Sequence, residues 1–155
     1  MTFEIERRFL IKNDNWKEFI TKKIFIEQGY LSKSLDDWII RIRFTGKDFK
    51  IALKKHIESF TNFEFEYSIP QKDGETIMSN LSNTIKKERF FLEVDKKTWI
   101  IDCFKGNNFP LEIAEIELSR EEEDLNLPSF ISQEITGLTH YSNFSLANKP
   151  FSEWN

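Results

Sequence analysis

Charged residues recur at every second position in several segments of this sequence. In EIERRFL, Glu4, Glu6 and Arg8 share one parity while Phe3, Ile5 and Phe9 share the other. In WIIRIRF, Arg41 and Arg43 oppose Ile40, Ile42 and Phe44, and in FKIALKK, Lys50 and Lys54 oppose Phe49, Ile51 and Leu53. Glu64 and Glu66 oppose Phe63, Phe65, Tyr67 and Ile69. Lys87 and Arg89 oppose Phe90 and Leu92, and Glu115 and Glu117 oppose Ala114, Ile116 and Leu118. The charges come as same-sign pairs, and arginine is used at several positions where a solvated face takes lysine. Its planar fork suits phosphate oxygens. Carboxylates can hold a hard divalent cation, such as Mg2+ or Mn2+, against the same polyanion. Together these residues imply a metal-bound phosphate chain.

Such chemistry needs the charged faces to look at one another. Side chains of a strand alternate between faces, so each segment reads as a strand with one charged side. Any one of them fits an antiparallel sheet with a wet face. If the sheet closes, the charged face lines a bore, where unpaired charge is costly unless water or a ligand fills it. The pattern predicts strands over 3–12, about 26–31 with a bend at Gly29, 38–44, 49–55, 61–69, 88–94, 98–104 and 112–119. It predicts helices over about 15–24 behind an Asp14 cap, over 73–84, over 120–125 from a Ser119/Glu122 capping box, and within THYSNFSLAN. Antiparallel strands with helices between and after them suggest an α+β closed β-barrel. Periodicity alone leaves barrel and sandwich unresolved.

Composition narrows the classes. The 155 residues suit one domain spanning 1–155, with 16 Phe to fill a core. A net charge of -4 gives no global basic field for a nucleic-acid polymer. No apolar run is long enough for a transmembrane helix, and MTFEIERRF lacks an export pattern. With one cysteine, Cys103, a soluble cytoplasmic protein is expected. Two histidines, His56 and His140, argue against zinc.

The segments EIERRFL, QGYL, RIRF, IALK, FEFEYSIP, KKERF, IDCF, AEIEL and YSNFSLA resemble, in order, the motifs of the CYTH superfamily, the triphosphate tunnel metalloenzymes. The resemblance implies an eight-stranded antiparallel barrel, open as a tunnel, that binds a small triphosphate. It implies Mg2+- or Mn2+-dependent hydrolysis of a terminal phosphoanhydride by water, with inorganic tripolyphosphate as the leading substrate. Thiamine or nucleoside triphosphatase, class IV-type adenylyl cyclase chemistry on ATP, and a non-catalytic polyphosphate- or nucleotide-binding barrel are the alternatives. By motif, Glu4, Glu6, Glu115 and Glu117 resemble metal-site carboxylates, with Glu64, Glu66 and Asp102 as helpers. Arg8, Arg41, Arg43, Lys54, Lys87 and Arg89 resemble the phosphate-binding cations. Lys50 shares the parity but matches no motif position.

The family signature is E-x-E-x-K, and here Arg8 stands at the lysine. Its neighbour Arg7 has the opposite parity. Tyr30, in QGYL, is either a core or rim tyrosine or, as the resemblance implies, a catalytic partner of Lys87. By alternation Cys103 is a packed thiol; His140, with no second ligand to pair it, is a surface or helix-packing residue, and the run Arg120 to Asp124 is a solvated helix start. The sequence leaves open whether the chain forms a homodimer.

Overall fold

The structure, a computed structural model, describes residues 3–154. Its strands are β1 (Phe3–Ile11), β2 (Ile20–Tyr30), β3 (Ile39–Phe44), β4 (Phe49–Glu58) and β5 (Thr61–Ile69), then β6 (Thr84–Val94), β7 (Lys97–Phe104), β8 (Glu112–Glu117) and β9 (Ile131–Glu134). The helices are α1 (Gln71–Ser79) and α2 (Asn143–Asn148), with single 3-10 turns elsewhere. The strand order is β5-β4-β3-β2-β6-β7-β8-β1-β9, and a further β1–β5 pairing closes an 8-stranded antiparallel barrel with one extra strand.

β1 is the closing strand. One edge pairs with β8 from Glu6 to Leu10. The other is divided, with β5 on Phe3–Ile5 and β9 beyond it at Phe9 and Ile11.

The apolar core lies outside the barrel wall. Phe9, Trp99, Ile101, Ala114, Ile116 and Leu118 meet Trp16 from the 3-10 turn Asn15–Phe19, and Phe130 from the segment before β9. A second cluster, including Ile85, Phe104, Ile113 and Leu146, packs near one end of the barrel around α2. α1 seats Gly74 directly on Phe49, where an added Cβ would lie 2.2 Å from the ring. Covering the outer face this way lets the inner face remain charged. No helix of the described residues is long and apolar enough to cross a membrane.

Four expected elements differ. The segment 15–24 is a 3-10 turn that passes into β2 at Ile20, because pairing with β6 along Ile20–Gly29 overrides the helical spacing of Trp16, Phe19 and Ile20. Residues 120–125 form no helix. The Ser119 N–H and hydroxyl both donate to Glu123, not Glu122, and this caps a turn. The helix expected over 73–84 ends at Ser79, and Thr84 already belongs to β6. The last helix is broken into a 3-10 turn, Thr139–Tyr141, and α2, whose N-cap Ser142 accepts from the Ser145 N–H.

Candidate active site

The inward parity brings the charged pairs together in the bore, divided into an acidic side and a basic side. On the acidic side Glu6 lies opposite Glu117 in the β1–β8 register, and Glu4 lies opposite Asn62. Like charges directly opposite are unfavourable. Burial and the neighbouring Glu64 raise Glu4 above the usual carboxylate range, although Lys54 opposes this. Burial, with repulsion from Glu115 and Glu4, lifts Glu6 to about 7. Glu117 is raised by burial and by Glu4 and Glu6. The cation that offsets this cluster is Lys54, whose Nζ lies 2.5 Å from Glu4 and 3.6 Å from Glu6. Burial alone would lower Lys54, but the attraction of Glu6 and Glu4 outweighs it and raises the ammonium.

On the basic side, Asp102 is wholly buried and holds two cations. Lys87 Nζ donates to it at 2.7 Å, and Arg89 grips both carboxylate oxygens at 2.8 and 2.9 Å. Burial would raise Asp102, but Arg89 and Lys87 reverse this and hold it well below its usual range. Burial pushes Lys87 down to about 7, and repulsion from Arg89 and Arg43 offsets its attraction to Asp102. Arg43 is likewise pushed down to about 9 by burial and by Arg41 and Arg89. Glu115 accepts from Arg8 Nε at 3.0 Å, with Arg89 at 3.6 Å. Arg41 meets Glu66 at 3.1 Å, and Lys50 meets the other oxygen of Glu66 at 3.6 Å. Arg8 Nη2 and Arg41 Nε are buried without a hydrogen-bond partner among the described residues. Cations crowded enough to depress Lys87 and Arg43, with buried N–H groups left over, form a wall suited to a further anion.

The expected metal carboxylates therefore separate into two groups. Glu4, Glu6, Glu64 and Glu117 form one acidic cluster. Glu115 and Asp102 face the cations, and Glu66 bridges Arg41 and Lys50. Among the described residues no group of three or more His, Cys, Asp or Glu side chains is closed up as a metal cage. The donor chemistry nonetheless fits a hard divalent cation. It is all carboxylate, and burial together with mutual repulsion raises Glu4, Glu6 and Glu117. A metal there would compete with Lys54.

Arg7 points to the outer face, as its parity requires, and pairs with Glu134 of β9 at 2.7 Å. Tyr30 does not bond to Lys87. Its hydroxyl accepts from Gln28 Nε2 at 2.7 Å, while Lys87 donates to Asp102 and to Asn143. Cys103 pairs with Glu112 at 3.4 Å, and burial pushes its thiol up to about 12. His140 packs against Tyr141 and Trp154.

Three contributions were missed from sequence. Gln28 has the parity of Tyr30, two residues on, and that was its available signal. Asn143 Oδ1 accepts from Lys87 at 3.0 Å, and the Tyr141 carbonyl accepts from Arg8 Nη1 at 2.9 Å. Both lie in the C-terminal segment, where strand alternation carries no information. Phe144 of the same segment meets the Tyr30 ring edge-on at 5.5 Å.

Comparison with known proteins gives this geometry a family. An inorganic triphosphatase of Acetivibrio thermocellus is 31% identical over 153 residues, covering 97% of both chains. The chain belongs to the inorganic triphosphatase family. A second triphosphatase, from Nitrosomonas europaea, is 26% identical over 148 residues, covering 93% of this chain and 96% of its own. A crystal structure of an inorganic triphosphatase superposes with a TM-score of 0.67 at 25% identity, covering 93% of this chain and 97% of that one. A Hippeastrum protein, described as an adenylyl cyclase homologue with dominant triphosphatase activity, shares the fold at TM-score 0.59. It is 14% identical and covers 79% of this chain and 81% of its own. No family profile matches the chain. In this chain the Arg8–Tyr141 contact ties the first strand of the site to the C-terminal segment.

Proposed function

We propose that this protein hydrolyses inorganic tripolyphosphate in a divalent-metal-dependent reaction. We also assign it to the CYTH, or triphosphate tunnel, superfamily, with a small triphosphate as ligand and the reducing cytoplasm as its compartment. The observation that carries the proposal is the basic wall. Arg8, Arg41, Arg43, Lys87 and Arg89 converge in the bore, two of them with buried N–H groups that have no partner among the described residues. A linear triphosphate supplies the missing acceptors along its length.

Arg41 and Arg43 on β3, Arg8 on β1 and Arg89 on β6 grip the chain from several strands, which fixes its position and stabilises developing charge. Glu4, Glu6, Glu64 and Glu117 would hold Mg2+ or Mn2+ opposite. Bound there, the ion supplies charge neutralisation and a more acidic water. Lys87, pushed down to about 7, can hold a proton at Nζ for a departing phosphate oxygen. Tyr30 offers its O–H to a phosphate oxygen.

The test is phosphate release from tripolyphosphate by folded protein with Mg2+ or Mn2+. ATP and thiamine triphosphate serve as competitors, and cyclic AMP is assayed alongside. Release from tripolyphosphate at the highest kcat/KM supports the assignment, and no release from a folded sample overturns it.

A further inference from the structure

Gln28 is wholly buried on β2 and faces the bore with Tyr30. A buried amide is costly unless both ends are hydrogen-bonded, and both are. Arg43 Nε donates to Gln28 Oε1 at 2.9 Å, and Gln28 Nε2 donates to Tyr30 Oη at 2.7 Å. The order of this chain is forced. A guanidinium has donors only, so the amide end that meets Arg43 is the oxygen. The other end is the NH2, which can only donate, so the phenol oxygen accepts. The O–H proton of Tyr30 is thereby turned away from Gln28, and it has no acceptor among the described residues. The groups that act on the phenol most strongly, Gln28 apart, are the cations Arg41, Arg43 and Lys54. Anchored through Nε, Arg43 keeps its terminal nitrogens clear of protein acceptors among the described residues.

We propose that Gln28 is a positioning residue for the triphosphate: its amide makes Tyr30 a hydrogen-bond donor aimed, together with the Arg43 nitrogens, at one phosphate group. This rests on the triphosphatase reading of the same site. Leucine at this position would free the phenol to rotate and Arg43 to swing. Glutamate would keep the pairing to Arg43 but accept the phenol proton, which removes it from the ligand and adds negative charge beside a phosphate.

The test compares wild type, Gln28→Leu, Gln28→Glu, Tyr30→Phe and the two double variants, by steady-state tripolyphosphate hydrolysis and by calorimetric titration with tripolyphosphate. Gln28→Leu and Tyr30→Phe are each expected to lower kcat/KM by about tenfold. Both should act on the same parameter, kcat or KM, and the double variant should be no worse than the weaker single. Gln28→Glu should fall below Gln28→Leu in the Tyr30 protein, and that excess should shrink in the Tyr30→Phe background. Losses that multiply, or a Gln28→Glu enzyme equal to wild type, overturn the proposal. If Gln28→Leu does not fold, the glutamate pair decides by the same criteria. If wild type binds tripolyphosphate without hydrolysing it, the triphosphatase reading fails, and the same ordering read in Kd still decides the role of Gln28. If wild type does not bind, both readings are overturned.

Discussion

The ammonium of Lys54 lies 2.5 Å from a carboxylate oxygen of Glu4, so the cation of the acidic cluster comes from β4 and neutralises β1. A divalent ion bound to Glu4 must displace or share that contact. Lys54→Met is therefore expected to tighten Mn2+ binding by about fivefold, the effect of roughly 1 kcal/mol of lost competition. The same change should weaken tripolyphosphate binding. Separate calorimetric titrations with Mn2+ and with tripolyphosphate check this. Weakening of both would remove Lys54 from the competition.

Arg8 uses its fork to do two things at once, donating Nε to Glu115 and Nη1 to the Tyr141 carbonyl. A lysine has reach and charge but not this spread. Arg8→Lys should fold and keep hydrolytic activity while loosening the segment from Thr139 to Leu146 by about 1–2 kcal/mol. Hydrogen exchange of those amides is the measurement. Unchanged protection would show that the carbonyl contact contributes nothing.

The pH dependence follows from Glu6. Its carboxyl is raised from 4.5 to about 7 by burial and by Glu115 and Glu4. A carboxyl raised on folding stabilises the metal-free protein most below its unfolded value, and that contribution is lost as pH rises through the folded value. The melting temperature without metal should therefore fall between about pH 4.5 and 7 relative to Glu6→Gln, whose profile should be flatter in this window. Metal must displace the same proton, so Mn2+ affinity should rise with pH across that window and do so less steeply in Glu6→Gln. Thermal melts and Mn2+ titrations over the range supply both readings.

Asp102 holds Lys87 and Arg89 in a buried cluster. Asp102→Asn leaves two cations there without their anion and should destabilise the protein by about 3–5 kcal/mol. Adding Lys87→Met should recover part of that loss, because one uncompensated charge is removed. Chemical denaturation of the single and double variants measures the coupling. Additive losses would mean that Lys87 and Asp102 do not act as a pair.

The inward charges were legible because strand alternation has a period of two, and a one-residue error would have sent Arg7 rather than Arg8 into the bore. The same rule could not divide the carboxylates. Parity says that Glu115 and Asp102 face inward. Only the β1–β8 and β6–β7 registers, with Arg8 opposite Glu115 and Arg89 opposite Asp102, show that cations claim them. The first half of β2 was misread because Trp16, Phe19 and Ile20 fit a helical stripe, and what decides them is pairing with a strand far along the chain. β9 escaped notice because ISQE is short and carries one apolar residue, Ile131, that packs in the core. Asn143 and the Tyr141 carbonyl act through tertiary placement, which no local pattern encodes.

The divided edge of β1 has a consequence for assembly. As the chain is synthesised, β1 emerges well before its partners β5, β8 and β9, the last of which ends at Glu134. Contacts so distant in sequence form late. Glu4, Glu6 and Arg8 all ride on this strand, so a half-made barrel holds most of its phosphate-gripping cations but lacks the first acidic pair. The acidic and basic sides meet only when β1 shuts the barrel.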